Sequence, residues 1–177
     1  MVKRVLQFVL PALFLLALLP AAHGQIDLDA AIAATDPGVT PDSPLHGVEI
    51  FFENLQLSLT TNPAARAELA QDHVEERLAE AIVMHAEGNL QAEAVALEVA
   101  QTQLGTAADA VEAVASTGEN IEVINSIEEH ALAVEDHAEE LQVELQVQVD
   151  AGTAPAETVA LLDAASELEA SAVGVQD

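Results

Sequence analysis

LQAEAVALEVAQTQLGTAADAVEAVAS, residues 90–116, sets Leu90, Ala94, Leu97, Gln101, Leu104, Ala108, Val111 and Ala115 at alternating steps of four and three. Such steps keep one face of an α-helix continuously apolar or small, the pattern of a heptad seam. Residues 120–149 repeat it with Ile124, Ile127, Ala131, Val134, Ala138, Leu141, Leu145 and Gln148. Thr117-Gly118 separates the two stretches and Gly152 follows the second. Glycine accepts the left-handed backbone that ends a helix, so these are stops. Two long stripes joined by a few residues fold back on each other as antiparallel neighbours.

Working outward, Asn62-Pro63 opens a helix that runs to about Glu87, with Gly88-Asn89 as its stop and a stripe of Ala67, Val74, Leu78 and Ala81 that His85 extends. Proline suits the first turn, where its missing N–H is no loss. Upstream, Leu45, Val48, Phe52, Leu55 and Leu59 define another helical face, with Asp42 or Ser43 as cap and Pro44 as first residue. Downstream, a shorter helix starting near Pro155 offers Leu161, Leu162, Ala165 and Leu168. Residues 141–150 (LQVELQVQVD) and 55–60 (LQLSLT) also alternate as strands do. Each equally satisfies the helical spacing of its neighbours, and helix is the reading adopted. The expected fold is all-α: an antiparallel helical bundle or long helical hairpins, about five helices after a signal peptide.

The N-terminus has the layout of that signal. Lys3 and Arg4 precede an apolar run over residues 5–19, and Ala22 and Gly24 are small residues at the positions a signal peptidase reads. The expected division is a signal peptide over 1–24, a mobile arm over 25–41 and a helical domain over 42–177. Cleavage would remove both Lys3 and Arg4, leaving Arg66 and Arg77 against 31 acids, a formal −29. Such a surface repels phosphate backbones and anionic lipid heads, so no nucleic acid is expected as partner and no membrane span after cleavage. An apolar content of 51% argues against disorder, although much of it is alanine and the core must be thin. With no cysteine, disulfides and thiolate sites are excluded.

TPDSPLHG at residues 40–47, the amphipathic helix after it and NPAARAELAQDHVEERLAEA at residues 62–81 together carry a resemblance. They are similar to an exported, largely archaeal family of unknown function whose domain opens with Thr-Pro-Asp-Ser-Pro-Leu-Tyr and carries an Arg-Leu-x-Glu-Ala helix. His46 stands here at the tyrosine position. The resemblance implies a secreted helical domain and transfers no catalytic residue.

Chemistry concentrates in an internal echo. Asp72-His73-Val74-Glu75-Glu76 with Glu80 recurs as Asp136-His137-Ala138-Glu139-Glu140 with Glu144. A His and a Glu three apart share a helix face, so His73 with Glu76 and His137 with Glu140 each set an imidazole beside a carboxylate. Two such pairs meeting across helices would ligate a divalent metal ion such as Zn, Mn or Fe. The competing reading is acids and histidines on solvated faces, with no cofactor at all. On the heptad phases His137 flanks the seam and His73 falls nearer solvent; His85 reads as a core histidine and His46 as a surface contact. No serine sits in a nucleophile-elbow context, no glycine-rich phosphate loop occurs, and Tyr and Trp platforms for sugars are absent. The expectation is therefore not an enzyme but a secreted or extracytoplasmic protein with a structural or interaction role, pairing with itself or with an envelope protein. Extracytoplasmic metal binding is the alternative.

Overall fold

The computed structural model describes residues 35–117, 121–155 and 157–176, and five helices lie among them. The expected signal peptide and residues 25–34 of the expected arm lie outside these. The helices are α1 (His46–Leu59), α2 (Pro63–Ala86), α3 (Leu90–Thr117), α4 (Ile121–Asp150) and α5 (Thr158–Gln176). No strand occurs among the described residues: residues 55–59 belong to α1 and 141–150 to α4. No helix among the described residues is long and apolar enough to cross a membrane.

The punctuation acts as its chemistry dictates. Asn62 caps α2, its side-chain oxygen accepting from the Ala65 N–H at 2.9 Å, with Pro63 in the first turn. Asn89 does the same for α3 through the Ala92 N–H at 3.3 Å. Gly88 and Gly152 take φ of +72° and +67° at the ends of α2 and α4. Exchanging Asn62 for alanine is expected to lower stability by about 1 kcal/mol, the usual cost of an uncapped helix start, read as a shifted urea midpoint. The start of α1 differs from the expectation. Residues 40–45 form turns, in which Ser43 N–H bonds Thr40 O at 2.9 Å, and the helix begins only at His46 with no side-chain cap.

α2 packs along α3, α4 along α5, and α5 returns to lie on α3; smaller contacts join α4 to α2 and α3. The seams alternate large and small residues, with Val74, Leu78, Leu97, Leu104, Ile127, Val134, Leu145, Leu161 and Leu168 set among Ala67, Ala70, Ala96, Ala100, Ala107, Ala131, Ala138 and Ala165. Alanine carries no side-chain bulk, so the backbones approach closely and the core is thin but continuous. Because α3 has neighbours on three sides, its buried surface is wider than its heptad. Ala96, Ala100 and Ala107 are fully buried although the heptad omits them, while Ala115, which it includes, is exposed. The stripes of α3 and α4 are thus covered within the chain: Leu97, Ala131, Ala138 and Leu145 are inaccessible.

Candidate functional site

Among the described helices α1 packs against α2 alone, and it does so the wrong way round. The apolar stripe expected to pack is on the surface: Leu45, Val48, Phe52, Leu55 and Leu59 are all exposed, as is Phe51. The buried line is His46, Glu53 and Leu57, with Glu49 partly covered between them. That line has the same steps of three and four but carries charge. His46 is therefore buried, contrary to its reading as a surface contact.

What accepts this polar line is Arg77, at the middle of α2 and fully buried. Its Nη2 lies 3.1 Å from Glu53 Oε1, 3.1 Å from Glu80 Oε1, 3.4 Å from Glu76 Oε1 and 3.8 Å from Glu49 Oε2. A single guanidinium nitrogen thus faces four carboxylates, while Nε and Nη1 find no hydrogen-bond partner. One cation cannot hold four carboxylates ionised in a dry site, and burial raises their proton affinity. Burial pushes the Glu80 carboxyl up to about 8, against the opposing pull of Arg77 and with Glu49, Glu76 and Glu53 adding to the rise. Glu53 and Glu76 move up for the same reason, burial first. Neither Glu80 oxygen receives a hydrogen bond.

A strap over residues 36–40 closes the cluster from the N-terminal side. The Val39 N–H donates to Glu49 Oε2 at 3.1 Å, and His46 Nδ1 donates to Val39 O at 2.8 Å. A carbonyl only accepts, so His46 Nδ1 carries a proton, and Nε2 is buried without a hydrogen-bond partner. Gly38 takes φ of +60°, and a Cβ there would run into the Glu76 and Glu49 carboxylates. Glycine is needed on both counts. This end of the segment expected as a mobile arm is tied to α1.

The four residues singled out from the echo are divided. Glu76 joins the Arg77 cluster. His73, expected nearer solvent, is 6% exposed, and burial with help from Arg77 lowers its affinity for a proton. Heptad phase on α2 misplaces it because α2 is covered by α1, α3 and α4, not by one partner. His137 and Glu140 line a different place, a cleft between α2, α3 and α4 with His85, Glu93 and Glu144. There His85 is half-exposed and is bonded through Nδ1 to the buried Glu93 at 3.0 Å, so it is not the core histidine expected. Burial raises the Glu93 carboxyl, with His85 opposing. His130 pairs with Glu75 at 3.1 Å, bridging α4 and α2. Two groups bring three ligand atoms within 4.8 Å of one another among the described residues: His46, Glu49 and Glu80, and Glu49, Glu53 and Glu76. His73, His137 and Glu140 are in neither.

The residues missed in the sequence, His46, Glu49, Glu53, Arg77 and Glu80, had one signal. His46, Glu49 and Glu53 make a polar stripe parallel to the apolar one, opposite a helix with an arginine set between Glu76 and Glu80.

With this geometry in hand, the chain meets one known family. The model of the DUF5667 family, described as a domain of unknown function, matches residues 38–146, from the strap through most of α4. The chain belongs to that family. No curated protein and no solved structure matches it.

Proposed function

We propose that this DUF5667 protein is an exported, non-catalytic interaction protein of the cell envelope or extracellular space, and that the outward face of α1 is its docking surface. One observation carries the reading. A surface helix turns its apolar stripe inward, yet here Phe51 and Phe52 are 62% and 60% exposed beside Leu45, Val48, Leu55 and Leu59. The two rings meet edge to face with centroids 5.6 Å apart. Aromatic anchors within a contiguous apolar patch are the composition of an interface centre. The leader-like residues 1–24 support export, and the absence of a nucleophile or phosphate motif supports a role without catalysis.

Charge selects the partner. The chain carries a formal −27, so a second copy meets like charge, whereas a protein with an apolar groove rimmed by Lys and Arg gains attraction over the same face. The test is anisotropy of a labelled amphipathic helical peptide, leucine on one face and lysine on the other, titrated with the chain from residue 25. Saturable binding that falls at least tenfold in Phe51→Ser/Phe52→Ser is the expected result. Equal binding by the variant, or by an all-polar lysine peptide, would mean that charge alone acts and would refute the docking face. Binding that appears only after residues 25–34 are removed would assign the face to the chain's own segment, and a dimer in light scattering would assign it to a second copy.

A further inference from the structure

On the opposite side of α1 from its docking face lies a second feature, and it is independent of that reading. We propose that His46, Glu49 and Glu80 form a site for one divalent transition-metal cation of the zinc or manganese class, held between α1 and α2 beneath the strap.

The donor set is the first argument. One imidazole and two carboxylates suit zinc, manganese or ferrous iron, whereas calcium takes six to eight oxygens and has little use for a ring nitrogen. The three side chains offer ligand atoms within 4.8 Å of one another, and His46 Nδ1 is already 4.0 Å from Glu49 Oε2 and 3.9 Å from Glu80 Oε1. Two ligands bonded to one ion at about 2.0–2.2 Å stand at most about 4.4 Å apart. The side chains need only small rotamer adjustments to meet on an ion.

An acidic cluster alone would not be a site. The second, independent observation is that its most enclosed members have unused donors. Glu80 is wholly buried and neither of its oxygens accepts a hydrogen bond. His46 is 7% exposed and its Nε2 has no partner. Buried polar atoms are nearly always bonded, so a buried carboxylate that accepts no hydrogen bond and shares its one close guanidinium nitrogen with three others marks a place where a further ligand belongs. His46 Nδ1, the ring nitrogen that faces Glu49 and Glu80, donates to Val39 O, and ligation through it exchanges that hydrogen bond for the ion. The charge balance agrees. Arg77 faces four carboxylates, and a second cation would take the place of protons as their countercharge. Arg77 is also within reach of Glu53 and Glu76, so that pair can remain with the guanidinium while Glu49 and Glu80 turn to the ion.

The test is calorimetric titration of the chelator-stripped chain with ZnSO4 and, separately, MnCl2, with CaCl2 as comparison. One ion per chain is expected, bound at least tenfold more tightly than calcium. His46→Gln and Glu80→Gln should each weaken binding at least thirtyfold, and the double variant His137→Gln/Glu140→Gln should change it less than twofold. Binding that persists in both single variants would mean cations held loosely on an acidic surface and would overturn the proposal. So would loss of binding in the double variant, which would move the site to α4. Should a single variant fail to fold, the wild-type chain still decides the matter. Zinc must move the ¹⁵N resonance of His46 Nδ1 while leaving His137 in place, and an unmoved His46 refutes the site.

Discussion

Replacing Arg77 with methionine is expected to lower stability by about 3–5 kcal/mol at neutral pH, the range found when one partner of a buried ion pair is removed and the other stays behind. The side chain is fully buried and reaches Glu49, Glu53, Glu76 and Glu80 through Nη2, so its loss leaves carboxylates from two helices facing each other in a site with no countercharge. Methionine keeps much of the volume and deletes the charge, which separates electrostatics from cavity formation. The penalty should shrink toward pH 5, where the carboxylates take up protons. Urea unfolding at pH 7.5 and pH 5 measures both quantities. A loss below about 1 kcal/mol at pH 7.5, in the range of an exposed pair, would show that the cluster tolerates its charges without the guanidinium. α1 should also exchange its amide protons faster in the variant, since α2 is the only described helix it touches and Arg77 is its main polar partner there.

Glu80→Gln is expected to leave stability nearly unchanged near pH 4 and to raise it at neutral and alkaline pH, with metal removed by chelator. Glu80 holds its proton to about 8 in the folded chain against an ordinary value of 4.5. The folded state therefore binds more protons than the unfolded state between these two values. Stability falls as pH rises across that window, by roughly 1.4 kcal/mol per unit for one group. Glutamine mimics the neutral carboxyl and cannot ionise, so the variant escapes the fall. The gap between variant and wild type should open from about pH 4 and reach on the order of 4 kcal/mol near pH 8. Glu53 and Glu76 are shifted the same way and steepen both curves alike, while His73, whose proton affinity is lowered, acts in the opposite sense below its ordinary value. Comparing the two proteins cancels these contributions. Parallel stability curves from pH 5 to 9 would show that Glu80 ionises as readily as an exposed carboxylate and that its burial is not dry.

The helices of the body were legible because their signals are local. The steps of Leu97, Leu104, Ile127, Val134 and Leu145, the Asn62-Pro63 start and the Gly88 and Gly152 stops each act within a few residues, and each appears in the structure as read. The strand-like alternation at 141–150 resolved as helix because a strand needs a partner edge, whereas Leu145 finds its burial by continuing the α4 stripe. α1 was misread because which of two parallel stripes turns inward is decided elsewhere. Its polar stripe wins by meeting Arg77, 24 residues away from Glu53, and no local pattern announces that pairing. The echo of His73 and His137 was a resemblance of segments; the chain uses the first to line a buried polar seam and the second to edge a half-open cleft. Of the four residues it singled out, Glu76 alone enters a cluster with spacing that suits a cation.

The family domain ends at residue 146, yet the chain does not close there. α5 follows that boundary and lies on α3 as well as α4, burying Leu161, Ala165, Leu168 and Ala172 completely. The recurring sequence unit and the cooperative unit are therefore different objects in this protein. A fragment cut at the family boundary would strip the central helix of one of its neighbours and trade a closed interior for an adhesive surface of small and branched side chains. The last helix is in effect an internal cap, supplied by the same polypeptide, over surfaces of α3 and α4 that the family domain alone would leave open.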